Sequence, residues 1–310
     1  MRILNFGSLN IDYVYSVPHF VRPGETLASN NYQIFAGGKG LNQSIALAKA
    51  GAKVYHGGKI GREGLFLKEK LEYYNVDTSN IKIVEGASGH AIIQVDPTGQ
   101  NCIILYGGAN KEITHQDIND ILSNFGNGDI LLLQNEISNI KYILEKAKNM
   151  GLRVALNPSP ISGDLLECDF SAINWFILNE IEGKELTRQS EPEKIAKELL
   201  SRYPHATIVL TLGPDGVLYL DSEVMLRHGV YDVPVVDTTA AGDTFTGYFL
   251  AGVLEGLTKE ECLKRASIAA SLAVGKKGAA DSIPYKNEVD QKELEWASYS
   301  PTAFALSGPR

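Results

Sequence analysis

Short apolar runs alternate with helix-period stretches along most of the 310-residue chain. Ile130 to Gln134 is followed by an amphipathic stretch, Lys141 to Met150, and then by a second apolar run, Arg153 to Leu156. Buried parallel strands read as continuous apolar runs and need a helical crossover between them. The alternation therefore predicts βαβ units around a central, mostly parallel sheet flanked by helices. Ala172 to Leu178, Thr207 to Leu212 and Val217 to Leu220 are further strands of this kind.

Two segments, 13–35 and 89–106, break the pattern. In the second, alternating residues flank an Asp96-Pro97-Thr98-Gly99 turn, which predicts a β-hairpin pairing Ala91–Val95 with Asn101–Leu105. Without helices of their own, these segments are expected to form a small antiparallel sheet outside the main one. The main α/β unit would then comprise 1–12, 36–88 and 107–296, with 297–310 as a peripheral tail. After Gly242 the chain turns helical, Thr244 to Glu255 and Lys259 to Val274, with a break at Gly256-Leu257-Thr258.

Composition narrows the function. A 44% hydrophobic chain of this length buries a substantial core without external staples. A net charge of −8 and a pI near 5.4 argue against a nucleic-acid partner, which needs a basic face. A small anionic ligand held by local amides is still compatible with that charge. Cys102, Cys168 and Cys262 form no CxxC pair, so they read as core thiols and not as a disulfide framework or zinc site. The first residues lack a signal-peptide pattern and no span has the length of a membrane helix, so a soluble, cytoplasmic protein is expected.

The most informative stretch is Asp237-Thr238-Thr239-Ala240-Ala241-Gly242-Asp243-Thr244-Phe245, which opens a helix with small residues. Unobstructed amides at a helix start form an anion site, suited to a phosphoryl group in transfer. Asp243 would serve as an ordinary acidic residue of a first helical turn; beside a phosphate-sized gap it would also serve as a base for a hydroxyl nucleophile. A second stretch, Ala36-Gly37-Gly38-Lys39-Gly40-Leu41-Asn42-Gln43, is no Walker A loop, because Gly40 follows Lys39. It is either a plain strand-to-helix turn or a place where a polyol meets the backbone and Asn42.

Three weaker signals follow strands. Gly7-Ser8-Leu9-Asn10-Ile11-Asp12 places two polar side chains where open α/β sheets bind ligands, or forms an Asx-turn. Asn179-Glu180-Ile181-Glu182 is a capping box or a holder of water on a nucleotide-bound Mg²⁺. Thr211-Leu212-Gly213-Pro214-Asp215-Gly216 is a turn that would lie along a nucleotide.

Together and in this order, these motifs closely resemble the ribokinase-like, phosphofructokinase B type family of carbohydrate kinases, from about Ile3 to Tyr285. The resemblance implies a three-layer α/β fold with a β-sheet lid at 13–35 and 89–106, often a homodimer clasp. It implies sugar contacts from Asn10, Asp12, Gly38, Lys39, Asn42 and Glu136, with Asp243 as catalytic base and Ala240, Ala241 and Gly242 as the anion hole. Asn179 and Glu182 would organise Mg²⁺ and the ATP phosphates. Thr211, Gly213 and Gly216 would line the nucleotide, with Ser267 near the adenine. A K⁺ site would map onto Asp237, Thr239, Ala273, Lys276, Gly278 and Ser282.

The resemblance thus implies transfer of the ATP γ-phosphoryl group to a primary hydroxyl, D-ribose O5 first. Asn135, His90 and Ser267 depart from the usual residues and put the acceptor in question. Fructose, adenosine or pseudouridine are the alternatives within the class, and a non-catalytic sugar-binding regulator is the alternative outside it.

Overall fold

The computed structural model describes residues 1–292 and 295–296, with the backbone of 302–305. Its strands are β1 (Ile3–Phe6), β2 (Asn10–Ser16), β3 (Asn31–Gly37), β4 (Val54–Gly61), β5 (Asp77–Val84), β6 (Gly89–Val95) and β7 (Asn101–Tyr106). They continue as β8 (Ile130–Gln134), β9 (Arg153–Asn157), β10 (Ile173–Asn179), β11 (Thr207–Thr211), β12 (Val217–Leu220), β13 (Val224–His228) and β14 (Thr302–Ala305).

The main sheet has ten strands in the order β14-β13-β12-β11-β10-β9-β8-β1-β4-β5. From β5 to β11 all neighbours are parallel, and β12 to β14 add an antiparallel edge. Alternate residues feed opposite layers: Ile130 and Leu132 pack with the helices Lys39–Lys49, Ala241–Glu255 and Lys259–Val274, while Leu131 and Leu133 pack with Ile140–Met150 and Pro192–Arg202. Strands buried on both faces explain the continuous apolar runs. From β1 the chain first builds outward through β4 and β5, then returns to build the other side from β8. The β1–β8 boundary is therefore a switch point, where loops at the strand ends diverge and leave a crevice.

The lid is a four-stranded sheet, β3-β2-β6-β7. The expected hairpin is present in register, Ala91 opposite Leu105 and Val95 opposite Asn101. The outer pairs are antiparallel, but β2 and β6 run parallel, because both leave the same end of the main sheet. The lid strands also take in Asn10–Asp12 and Ala36–Gly37, which the sequence assigned to the main unit. Continuous strands thus connect the crevice to the lid. Of the tail 297–310, only 302–305 are described; they pair with β13 at the edge of the main sheet, and the rest lies outside the described residues.

The helices Lys39–Lys49 and Ala241–Glu255 cross closely because position 247 is glycine: a Cβ there would collide with Ala46. Gly247 lies one turn beyond Asp243, and Ala46 one turn beyond Asn42, so this crossing sets the distance between their side chains. Gly247→Ala is expected to lose roughly 1–3 kcal/mol of stability through overpacking, and to lower turnover by moving Asp243 off its partners. Urea unfolding checks the first effect, and a variant as stable as the native chain contradicts it.

Candidate active site

At the switch point, Ser8, Asn10 and Asp12 follow β1, and Glu136 follows β8. Ser8 Oγ donates to Glu136 Oε2, which also accepts the Lys39 backbone N–H at 3.2 Å. Asn10 Oδ1 accepts from Asn110 Nδ2 at 2.8 Å. Burial, reinforced by the negative charge of Glu136, pushes the Asp12 carboxyl up to about 7. Gly38 caps the next helix with φ 96°, a left-handed conformation that L side chains rarely adopt. Burial alone would lower the Lys39 pKa; the carboxylates of Asp243, Glu136 and Glu182 outweigh it and hold the ammonium above its usual value.

Asp243 is buried in the first turn of Ala241–Glu255. Its Oδ2 accepts from Asn42 Nδ2 at 3.1 Å and its Oδ1 from Gln43 Nε2 at 2.8 Å. The Asn42 Oδ1 atom is buried and accepts no hydrogen bond among the described residues. Ala240 sits at φ 60° as the N-cap, a left-handed position costing a non-glycine residue about 1–2 kcal/mol. Of the three amides expected to form the anion hole, that of Ala241 donates to Thr238 O at 3.2 Å. Those of Ala240 and Gly242, and that of Asp243 itself, donate to no backbone oxygen among the described residues. A Cβ at Gly242 would meet nothing within 4 Å, and the residue borders open space on the cavity side.

Two cavities adjoin here. One, of 650 Å³, is an apolar slot between Val230, Val233, Val235, Ala270 and Val274, and also takes in Asn179, Thr211, Gly213, Gly216 and Ser267. The other, of 260 Å³, is lined by Lys39, Asn157, Glu182, Ala240 and Asp243 among others. Asn179, Thr211, Thr238 and Gly242 belong to both. All five residues expected along the nucleotide therefore share one wall system, and Asp243 stands across the junction.

Glu182 and Asn179 form the capping box foreseen as the plainer reading: Glu182 Oε2 accepts from Asn179 N at 3.0 Å and Oε1 from Asn179 Nδ2 at 2.9 Å. Both oxygens are engaged, which suits a Mg²⁺ ion held through water better than direct coordination. The loop expected around K⁺ is tied to the anion hole by Gly278 N–H donating to Asp237 Oδ2 at 3.0 Å, while Asp237 Oδ1 caps Thr239. Among the described residues no hydrogen bond reaches the carbonyl oxygens of Lys276, Gly278 or Ser282. These oxygens are free to face a cation, as they are to face water. The Lys276 ammonium turns away to Glu288 at 2.9 Å, and Ala273 O accepts from Lys276 N at 3.0 Å.

Two departures lie outside the site. His90 pairs with Ile11 and packs between Tyr13 and Tyr106, on the lid face opposite Asp12. Asn135 donates to Pro160 O and Ser162 Oγ. Gln43, Gln134 and Asn5, given no role from sequence, lie behind Asp243, and Asn157, which lines the polar cavity, accepts from Gln43.

A doubly wound sheet with a lid, a helix start with free amides opening on a 260 Å³ polar cavity and a buried carboxylate beside it are the features of a small-molecule phosphotransferase. The chain belongs to the pfkB family of carbohydrate kinases, whose family model matches residues 2–286; it is thus a phosphotransferase with an alcohol group as acceptor. It is 37% identical to a ribokinase of Haemophilus influenzae over 91% of this chain and 95% of that one. A ribokinase from Cryptococcus neoformans in complex with ADP superposes with a TM-score of 0.84 at 34% identity, covering 94% of this chain and 99% of that one. Arabidopsis thaliana ribokinase complexed with ribose and ATP superposes with a TM-score of 0.82 at 31% identity, covering 94% and 97%. Among the described residues no helix is long and apolar enough to cross a membrane.

The position of Asp12 generates a pH prediction. Its free carboxyl is pushed up to about 7, so a sugar whose hydroxyls donated to the ionised form would release a proton on binding. Affinity for the acceptor is therefore expected to rise from about pH 6 and level off near pH 8, with Asp12→Asn flat over the same range; calorimetry distinguishes the two, and parallel slopes contradict the assignment. Asp12→Ala should raise the sugar KM roughly 10- to 100-fold with the ATP KM near normal.

Proposed function

We propose that the chain transfers the γ-phosphoryl group of ATP to the 5-hydroxyl of D-ribose, with Asp243 as general base. The observation that carries this reading is the junction itself: a buried carboxylate, held by two amide donors, lines the polar cavity from the first turn of a helix whose open amides lie where that cavity meets an apolar slot. The complexes of the structural relatives, one with ADP and one with ribose and ATP, support the same pair of substrates.

The sugar would lie under the lid, its hydroxyls on Asp12, Asn10, Glu136 and the backbone at Gly38, with Asn42 Oδ1 accepting one more. The buried acceptor on Asn42 has no other partner among the described residues, and leaving it unpaired costs about 1–3 kcal/mol. The acceptor hydroxyl gives its proton to Asp243 as its oxygen attacks phosphorus, and the bond from phosphorus to the ADP oxygen breaks. Amides of Ala240 and Gly242, joined by Ala241 once it releases Thr238, hold the charge on the transferring group, and Lys39 adds a cation. Mg²⁺ bound with the phosphates, held through water by Glu182 and Asn179, would neutralise phosphate charge. K⁺ in the carbonyl loop of Ala273, Lys276, Gly278 and Ser282, beside Asp237 and Thr239, would set the helix start.

The lid carries exposed apolar residues on both faces, among them Phe35, Ile103, Ile104 and Leu105. Exposed strands of this kind are covered in a homodimer through the lid.

An ADP-release assay across ribose, 2-deoxyribose, fructose, adenosine and pseudouridine tests the acceptor, with ribose expected to give the highest kcat/KM; a faster nucleoside or hexose contradicts it. Asp243→Asn is expected to lower kcat by ~10²- to 10⁴-fold with both substrates still binding. A helix-terminal role alone would leave kcat within about threefold, since Asn caps comparably. Potassium is expected to raise kcat or lower the sugar KM where sodium does so poorly, and equal activity in potassium, sodium and Tris buffers contradicts the cation site.

A further inference from the structure

Behind Asp243 lies a chain of polar side chains that the phosphoryl chemistry does not use. Gln43, Gln134, Asn5, Ser44 and His56 are all fully buried. Gln43 Nε2 donates to Asp243 Oδ1 at 2.8 Å and to Asn157 Oδ1 at 3.1 Å, while Gln43 Oε1 accepts from Gln134 Nε2 at 2.6 Å. Gln134 Nε2 donates again to Asn5 Oδ1 at 2.9 Å, and Asn5 Nδ2 donates to Gly40 O at 2.7 Å and Ser44 Oγ at 2.9 Å. Ser44 Oγ lies 2.8 Å from His56 Nδ1, and His56 Nε2 lies 3.3 Å from Gly7 O.

The direction of every amide in this chain is fixed at both ends. An ionised carboxylate only accepts, so Gln43 must turn its NH₂ toward Asp243 and its carbonyl toward Gln134. A peptide carbonyl also only accepts, so Asn5 must turn its NH₂ toward Gly40, and its carbonyl must then receive Gln134. Asn157 is set in the same way, its Nδ2 donating to Ile177 O at 2.9 Å. Ser44 accepts from Asn5 and therefore donates to His56 Nδ1, leaving Nε2–H for Gly7 O; burial keeps this imidazole neutral, with its pKa lowered to about 4. Gln134 Oε1 is left buried without a partner among the described residues. That loss is the consequence of Gln134 donating in both directions, to Gln43 Oε1 and to Asn5 Oδ1.

We infer that Gln43 is a positioning residue for Asp243, and that Gln134 holds Gln43 with its NH₂ facing the carboxylate. Asn42 fixes one oxygen and Gln43 the other, so the carboxylate cannot rotate away from the acceptor hydroxyl. Gln43 and Gln134 touch neither cavity as lining residues, and their effect reaches the substrate through Asp243. The inference rests on Asp243 acting as the base.

A double-mutant cycle tests it, with kcat and the sugar KM measured for Gln43→Met, Gln134→Met and both together, and thermal melting recorded for each. The expected result is a fall of about 10- to 100-fold in kcat for Gln43→Met, with the sugar KM within about threefold of native. Gln134→Met should lower kcat by a similar factor when Gln43 is present and by less than about twofold in the Gln43→Met background. Should Gln43→Met not fold, Gln43→Leu removes the donor without adding a charge, and the same comparison applies. Equal losses from Gln134→Met in both backgrounds, or losses that appear in KM and melting temperature but not in kcat, overturn the inference. Asp243→Asn at native kcat overturns the base assignment as well, whereas an inactive Asp243→Asn beside a Gln43→Met enzyme with native kcat overturns this inference alone.

Discussion

Two helix starts aimed at one point are the constraint on which the site depends. The helix Lys39–Lys49 brings Asn42 and Gln43, and the helix Ala241–Glu255 brings Asp243, from positions about two hundred residues apart in sequence. The approach is possible because Gly247 presents no side chain to Ala46. The helix Ala241–Glu255 also brings open amides at its start, so positive potential falls on the region where a phosphoryl group would pass, whereas the first amides of Lys39–Lys49 are taken by Glu136 and Ser8. The negative charge of Asp243 is accommodated there by two amide donors and by Lys39.

The sheet supplies the rest by geometry. The residues proposed to meet ligands sit at the ends of neighbouring strands: Asn10 and Asp12 beyond β1, Glu136 beyond β8, Asn179 closing β10 with Glu182 after it, and Thr211 closing β11 with Gly213 and Gly216 after it. Reading across the sheet from the switch point, these form a line from the polar crevice under the lid to the apolar slot. One carboxylate, Asp12, is held near neutrality by burial and Glu136, which makes it responsive to a ligand that donates hydrogen bonds. Lys39 is held charged by three carboxylates around it.

Much of this was legible because local chemistry carried it. The alternation of apolar runs and helices gave the layers, and the Asp96–Gly99 turn gave the lid hairpin in its correct register. The motif at Asp237–Phe245 marked a helix start that is one. Other features needed tertiary information. β3, exposed along most of its length, offered no buried face to reveal a period, and the parallel pairing of β2 with β6 depends on where both strands leave the main sheet. The edge strand in the tail has no helix or hairpin signal to announce it. Gln134 closes an apolar run and Gln43 stands beside the more conspicuous Asn42, so neither spacing nor residue type pointed to the amide chain. The capping box at Asn179 and Glu182 was equally visible as a plain helix start, and the structure forms it.

The central claim is that the acceptor hydroxyl meets Asp243 at the mouth of the apolar slot, over the amides of the helix start. A crystal structure of this chain with D-ribose and a non-hydrolysable ATP analogue measures that directly. The account predicts the ribose 5-hydroxyl oxygen within about 2.6–3.2 Å of an Asp243 oxygen, with the γ-phosphate over Gly242 and the base in the slot beside Ser267. A ribose whose 5-hydroxyl points away from Asp243 with both ligands bound and the lid closed would contradict it.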